Sequence, residues 1–236
     1  MSVFTFHLIK VNYATAIKAL LFPTRLTDIK GLIHAEPMTG MTLGAPLLST
    51  SRITIRQLAF FIQWEDEEAI DNFLQHHKWG KKFDQSWHIR LKFLRQWGTI
   101  DQFHIPMSDA ETYNPKNPVV AVTLARMKLI HVPRFIRWGR PAEKLVRDHQ
   151  SSRLALAAIR FPRTVSTFSI WKSQEEMTNM VHGHSKTPQP KRHVNAMKER
   201  DRKDFHYQFT TLRFKPIGEY GSWNGNSNII QTLKSS

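Results

Sequence analysis

The chain of 236 residues contains no cysteine. That excludes structural disulfides, thiolate zinc sites, iron–sulfur clusters and a cysteine nucleophile. No apolar run approaches the roughly 20 residues a membrane helix requires. The first ten residues, MSVFTFHLIK, lack the charged-then-apolar layout of a secretory signal. The expectation is a soluble, cytoplasmic protein. Nucleotide and hydrolase signatures are missing too. There is no Gly-x-Gly-x-x-Gly, no Gly-Lys-Ser/Thr phosphate loop and no Gly-x-Ser-x-Gly elbow. No histidine pair has the His-Glu-x-x-His spacing of a zinc protease helix. Acidic residues are scarce: 19 Asp and Glu face 34 Lys and Arg, a net charge of +15.

A basic excess of that size favours nucleic acid, anionic lipid or an acidic partner, and a merely basic soluble protein stands beside these readings. The excess is uneven. Arg134, Arg137, Arg140, Arg147, Arg153, Arg160 and Arg163 form one cluster, and residues 191–203 form another. Any anion-facing surface is therefore expected mainly on the second half. With 41% hydrophobic residues, a packed core is within reach.

Two segments of the chain share one plan. Alternating β-rich runs open each half, Val3–Val11 and Val119–Met127. Helical stretches follow, Tyr13–Leu21 and Pro133–Trp138. Strands come next: Gly31–Ala35 and Ile53–Trp64 in the first half, Leu154–Phe161 and Ser166–Trp171 in the second. The clearest match comes after them. Strands ending in Trp64 and Trp171 each lead into a capping residue and a Glu-Glu first turn, which complements a helix N-terminus. Ser173 with Glu176 has the spacing of a capping box. Ile89–Leu94 and Phe209–Lys215 close the two copies. The pattern predicts an α+β fold: tandem ferredoxin-like repeats forming a dimeric α+β-barrel-type body, antiparallel sheets with helices on the outer face. The expected division is 1–108, a proline-containing linker at 109–118, 119–223, and a loose Gly/Ser/Asn-rich tail at 224–236. An apolar cavity is expected between sheet and helices.

Candidate site residues are few. His182, His184, His193 and His206 cluster late in the chain, with His76 and His77 at the matching place in the first copy. A lone imidazole cannot hold zinc but suffices as an axial haem ligand. The acidic runs Glu65–Glu68 and Glu175–Glu176 read as dipole compensation rather than catalytic pairs. Phe60, Ile62 and Trp64 alternate as one strand face, core-facing or, in an RNA-recognition-like sheet, a stacking platform.

From Thr167 to Trp223 the chain resembles the spheroidene monooxygenase (CrtA-like) family of the dimeric α+β barrel superfamily. The resemblance is carried by Thr167–Trp171, His193-Val194-Asn195-Ala196-Met197, Phe205-His206-Tyr207, Thr211-Leu212-Arg213-Phe214 and Gly218–Trp223. It implies a haem-dependent monooxygenase acting on a hydrophobic, polyene-like substrate. His193 would be the axial iron ligand, Arg200 would share the catalytic role, and Arg200 with Arg213 would contact haem propionates or substrate. The implied partners are a lipophilic small molecule, an electron donor and, peripherally, an anionic membrane; a homo-oligomer is compatible. A non-catalytic haem or hydrophobic-ligand binder and a basic nucleic-acid module stay open as alternatives.

Overall fold

The computed structural model describes residues 2–22, 29–46, 49, 52–103, 113–185, 187, 190–202 and 205–230; of Leu20, Ile136 and 200–202 it describes the backbone only. The first half runs β1 (Val3–Lys10), α1 (Tyr13–Leu21), β2 (Leu32–Met41), β3 (Ile53–Trp64), α2 (Glu67–His76), α3 (Gly80–Asp84) and β4 (Trp87–Thr99). The second repeats it: β5 (Val119–Met127), α4 (Val132–Asp148), β6 (Ser152–Arg160), β7 (Thr164–Trp171), α5 (Gln174–His182), α6 (Arg192–Arg202) and β8 (His206–Tyr220).

All strand pairs are antiparallel, and the order is a closed barrel β1-β3-β2-β6-β7-β5-β8-β4. Each half contributes one ferredoxin-like sheet, and the same register recurs in both. Val3 faces Trp64 as Val119 faces Trp171. Both sheets carry an irregularity at one place, Leu32/His34 and Ser152/Leu154. The caps repeat as well: the Asp66 carboxylate accepts the Ala69 N–H at 2.9 Å, and the Ser173 hydroxyl accepts the Glu176 N–H at 3.2 Å.

Period-two alternation sorts side chains into two layers. Phe4, Phe6 and Leu8 point into the barrel, where they meet Phe61, Ile89, Leu91, Val122, Phe168 and Phe214. Phe6 stacks on Phe168 with ring centroids 3.9 Å apart, joining the two halves through the barrel axis. The interior is thus a filled core, not a lumen. At one end it terminates in a buried carboxylate, Glu36, which holds Arg160 at 2.9 Å, His34 at 3.2 Å and Arg126 at 3.6 Å. The opposite end is covered by residues 221–230, the last of the second repeat and the start of the 224–236 segment whose composition suggests a loose tail. Trp223 packs into the core, and the Glu219 carboxylate accepts the Ile229 and Ile230 N–H groups at 2.9 and 2.8 Å. The rest of that tail, 231–236, lies outside the described residues, as do 104–112, which include the start of the expected linker.

Four elements are longer than the sequence pattern suggests. α4 does not stop at Trp138 but continues through Gly139 and Pro141 to Asp148. Its Glu143 accepts Gly44 N–H at 2.8 Å, while Arg140 and Arg147 donate to the Gly44 and Leu43 carbonyls at 2.9 and 3.0 Å. These tertiary bonds outweigh the propensity cost of the Gly and the Pro. β2 runs on through Pro37 to Met41, and β4 and β8 extend well beyond their apolar centres because they pair with each other from His88↔Tyr220 to Thr99↔Phe209.

Truncating the ring that joins the halves should be costly. Phe6→Ala is expected to lower unfolding stability by about 3–5 kcal/mol, measured by urea denaturation.

Candidate functional site on the outer face of the second sheet

The duplication allows the two outer sheet faces to be compared position by position. In the first half this face is packed solid beneath α2 and α3. His7, Phe60, Ile62 and Trp64 are all buried, with Phe73 and Phe83 on top. Phe60, Ile62 and Trp64 therefore offer no stacking platform to nucleic-acid bases. His7 stacks on His88 at 4.8 Å, and neither ring nitrogen of His7 has a hydrogen-bond partner. Burial, then the neighbouring His88 and Arg90 charges, push the His7 pKa well below its usual value; burial is also the main cause pulling His88 down to about 4.

In the second half the same register positions carry small residues. Thr123 stands where His7 does, Thr167 where Phe60 does, Thr211 where His88 does and Ser169 where Ile62 does. Thr123, Thr167 and Thr211 are part-exposed although helices lie on their side of the sheet. The helices touch the sheet in two separate apolar clusters. Leu145, Met177 and Met180 pack on Val119 and Trp171 at one end. Val132, Phe135 and Phe205 pack with Ala125 and Met127 at the other. Between them the sheet face is part-exposed at the three threonines, Thr123 and Thr211 having hydroxyls 3.4 Å apart, and this gap between the apolar clusters is the candidate hollow.

The two halves also differ in charge. Arg90 lies opposite Thr5 on β1, and Arg213 lies opposite Ala121 on β5, the equivalent place. Arg90 is neutralised by α2, bonding Glu67 at 3.2 Å and Asp71 at 2.5 Å. The corresponding residues of α5 are Gln174 and Thr178, one and five positions past the cap in both helices. No carboxylate among the described residues pairs with Arg213. Its register neighbour on β4 is another arginine, Arg95, and both guanidinium groups stack on Trp97, at 4.4 and 4.8 Å. Desolvation and then the Arg95 charge lower the Arg213 pKa, whereas the partners of Arg90 raise its own. An unpaired, half-buried arginine beside a second one is an anion-binding arrangement.

His193 begins α6, which packs against α4 and α5. Its Nδ1 lies 3.2 Å from the Val181 carbonyl. A carbonyl only accepts, so Nδ1 carries the proton. Arg200 lies on the same helix about two turns on, but its side chain is outside the described residues. His182 and His184 are exposed, and His206 is buried among Phe135, Phe205 and Phe209. Among the described residues no three His, Asp or Glu side chains are arranged to hold a metal ion. Five of the seven arginines of the 134–163 cluster bond within the protein: Arg134 to Glu199, Arg140 and Arg147 to the 43–44 loop, Arg153 to the Ile229 carbonyl, and Arg160 to Glu36. A cleft of about 700 Å³ opens elsewhere, at the short β2–β6 seam, lined by Met41, Gln57, Arg153, Leu156 and Trp223; neither His193 nor Arg213 reaches it.

Arg95, Trp97 and the threonine floor are not singled out by the sequence patterns above. Aligning the two copies on their tryptophans provides the signal, since Glu67 and Asp71 in one become Gln174 and Thr178 in the other.

The architecture defines the protein's class: two fused ferredoxin-like units closed into one eight-stranded α+β barrel. No protein-family model matches the sequence, and comparison with curated proteins finds no relative. Solved structures are similar in fold. An aldoxime dehydratase superposes with a TM-score of 0.54 and 8% identity, over 91% of this chain and 80% of that one. Aldoxime dehydratase OxdRE, in complex with butyraldoxime, gives 0.51 and 7% identity over 92% and 79%. A ferredoxin-fold protein from Listeria monocytogenes related to antibiotic biosynthesis monooxygenases gives 0.30 and 11% over 94% and 97%. For the two aldoxime dehydratases, at these identities, the likeness is one of fold.

Two measurements probe the asymmetry. Histidines whose native pKa lies below the unfolded value leave stability intact above about pH 6.5 and reduce it as pH falls, because the unfolded chain takes up the proton first. Urea unfolding between pH 7.5 and 4.5 should therefore show a loss that His88→Phe diminishes. Supplying the missing acid, Thr178→Asp should pair with Arg213 and raise the stability of the ligand-free protein by about 1 kcal/mol, read from the same denaturation curves.

Proposed function

We propose that the chain is a haem-dependent monooxygenase of the spheroidene monooxygenase type, oxidising a lipophilic substrate, with the hollow on the second half as its site. One observation carries this reading: Arg213, equivalent to the neutralised Arg90, is half-buried with no carboxylate partner among the described residues, on a sheet face where threonines replace rings. A flat apolar ligand with an acidic edge suits such a place. The residues present fit haem in three respects. Thr123, Thr167 and Thr211 replace the rings that fill the first half. Apolar clusters bound the hollow at both ends. Arg213 and Arg95 supply two cations for propionate carboxylates.

His193 is the proposed axial ligand. Its Nδ1–H bond to the Val181 carbonyl orients the ring. Arg200 is assigned to the same site as a contact to propionate or substrate. Bound haem would supply the oxygen chemistry, with reducing equivalents drawn from a separate electron donor. The protein's own part is to hold the acidic edge, exclude water with the Met177–Met180 and Phe135–Phe209 clusters, and present an apolar wall to the substrate.

Titrating the purified protein with haemin should produce a saturable Soret band. His193→Ala should abolish or shift that band. Arg213→Gln should weaken haem uptake by about 10–100-fold, the value of a charge-assisted hydrogen bond. Thr167→Phe, which copies Phe60 into the hollow, should block uptake while leaving the protein folded. Wild-type protein that takes up no haem would overturn the reading. Uptake without turnover, when a reductant and oxygen are supplied, would leave a binding protein in place of an enzyme.

A further inference from the structure

α1 presents an apolar stripe to solvent. Tyr13, Ile17 and Leu21 recur every fourth residue along one face, and Phe22 follows; they are 61%, 48%, 66% and 72% exposed. The helix is not itself loose. The Asn12 side chain caps it by accepting the Thr15 N–H at 2.8 Å, and Ala16 is buried on its inner face. Phe161, 46% exposed at the β6–β7 turn, lies beside Ala19 of α1 and widens the patch across the β2–β6 seam. Four large side chains exposed within ten residues of a capped helix are not the scattered apolar groups every surface carries.

The surrounding charge is of one sign. Lys10, Lys18, Arg56 and Arg163 are all exposed around these elements, with Arg56 stacked on Tyr13 at 5.1 Å. The chain has no Asp or Glu before Asp28, none in β3, and none from Ser152 to Trp171. A second copy docking here by two-fold symmetry would set these cations against themselves. We infer that this face docks on an anionic lipid bilayer, α1 lying in the interfacial plane with Tyr13, Ile17, Leu21 and Phe22 among the acyl chains and the cations at the headgroups. The docking face is independent of the haem site, because it uses no residue of the second sheet's outer hollow.

Co-sedimentation with large unilamellar vesicles tests it on the full chain. Wild type should partition onto phosphatidylcholine vesicles containing phosphatidylserine, weakly onto phosphatidylcholine alone, and less at high salt. The double substitution Ile17→Asp with Leu21→Asp changes exposed positions only. It should keep the wild-type circular dichroism and melting curve while losing partition by about tenfold or more. Wild type that stays in the supernatant, a double variant that binds as wild type does, or equal binding to phosphatidylcholine alone would each overturn the inference. So would a concentration-dependent dimer, seen by light scattering, that the double substitution abolishes without any vesicle binding. Protein that takes up haem but ignores vesicles would remove the docking face and leave the haem reading standing.

Discussion

Closure of two four-stranded sheets into one barrel is the constraint on which the rest of the molecule depends. A ferredoxin-like sheet has two edges whose backbone groups need partners. Here β4 and β8 pair along nearly their full length, and β2 meets β6 over three residues, Thr39 to Met41 against Ile159 to Ala157. Closure turns one face of each sheet inward at once. Phe6 on Phe168, and Phe4 against Phe61 and Phe214, then form one aromatic core shared by both halves. The core cannot differ much between the halves without spoiling the packing of the other.

Inward positions exchange one apolar residue for another, Phe4 and Phe6 answering to Val120 and Val122, and the change from ring to small polar residue lies on the outer faces. In the first half this face became part of the structure: His7, Phe60, His88 and Arg90 fill or neutralise the space beneath α2 and α3. In the second the same positions are Thr123, Thr167, Thr211 and Arg213, and helix contacts are pushed to the two ends of the strands. Burying an arginine without a partner is expensive. A carboxylate-bearing ligand in the hollow would remove that expense, so the structural cost and the proposed binding energy are two views of one interaction.

Much of the barrel was legible because its signals are local. Alternation set β1, β3 and β5, and the tryptophan, cap and double-glutamate sequence marked α2 and α5 by chemistry that acts within a single helical turn. Where the reading stopped short, the deciding contacts were distant. Gly139 and Pro141 look like a helix end, yet α4 continues because Arg140, Glu143 and Arg147 bond a loop about a hundred residues away. The tail looks loose, yet the Glu219 carboxylate fixes Ile229 and Ile230 and draws Trp223 into the core.

The sequence by itself determined the repeated plan, the order of the strands and the basic balance of the second half, since periodicity, capping and composition need no partner to be read; α3 was not among the elements it marked. It marked His193 as one of a late histidine cluster, and singled out Arg213 and a role for His193 only through resemblance. Tertiary structure alone decided that five of the seven arginines of 134–163 bond within the protein, that Arg95 lies opposite Arg213, and that the threonines lie part-exposed between two apolar clusters. Those are facts of strand register and helix placement, and register is set between residues far apart in the chain.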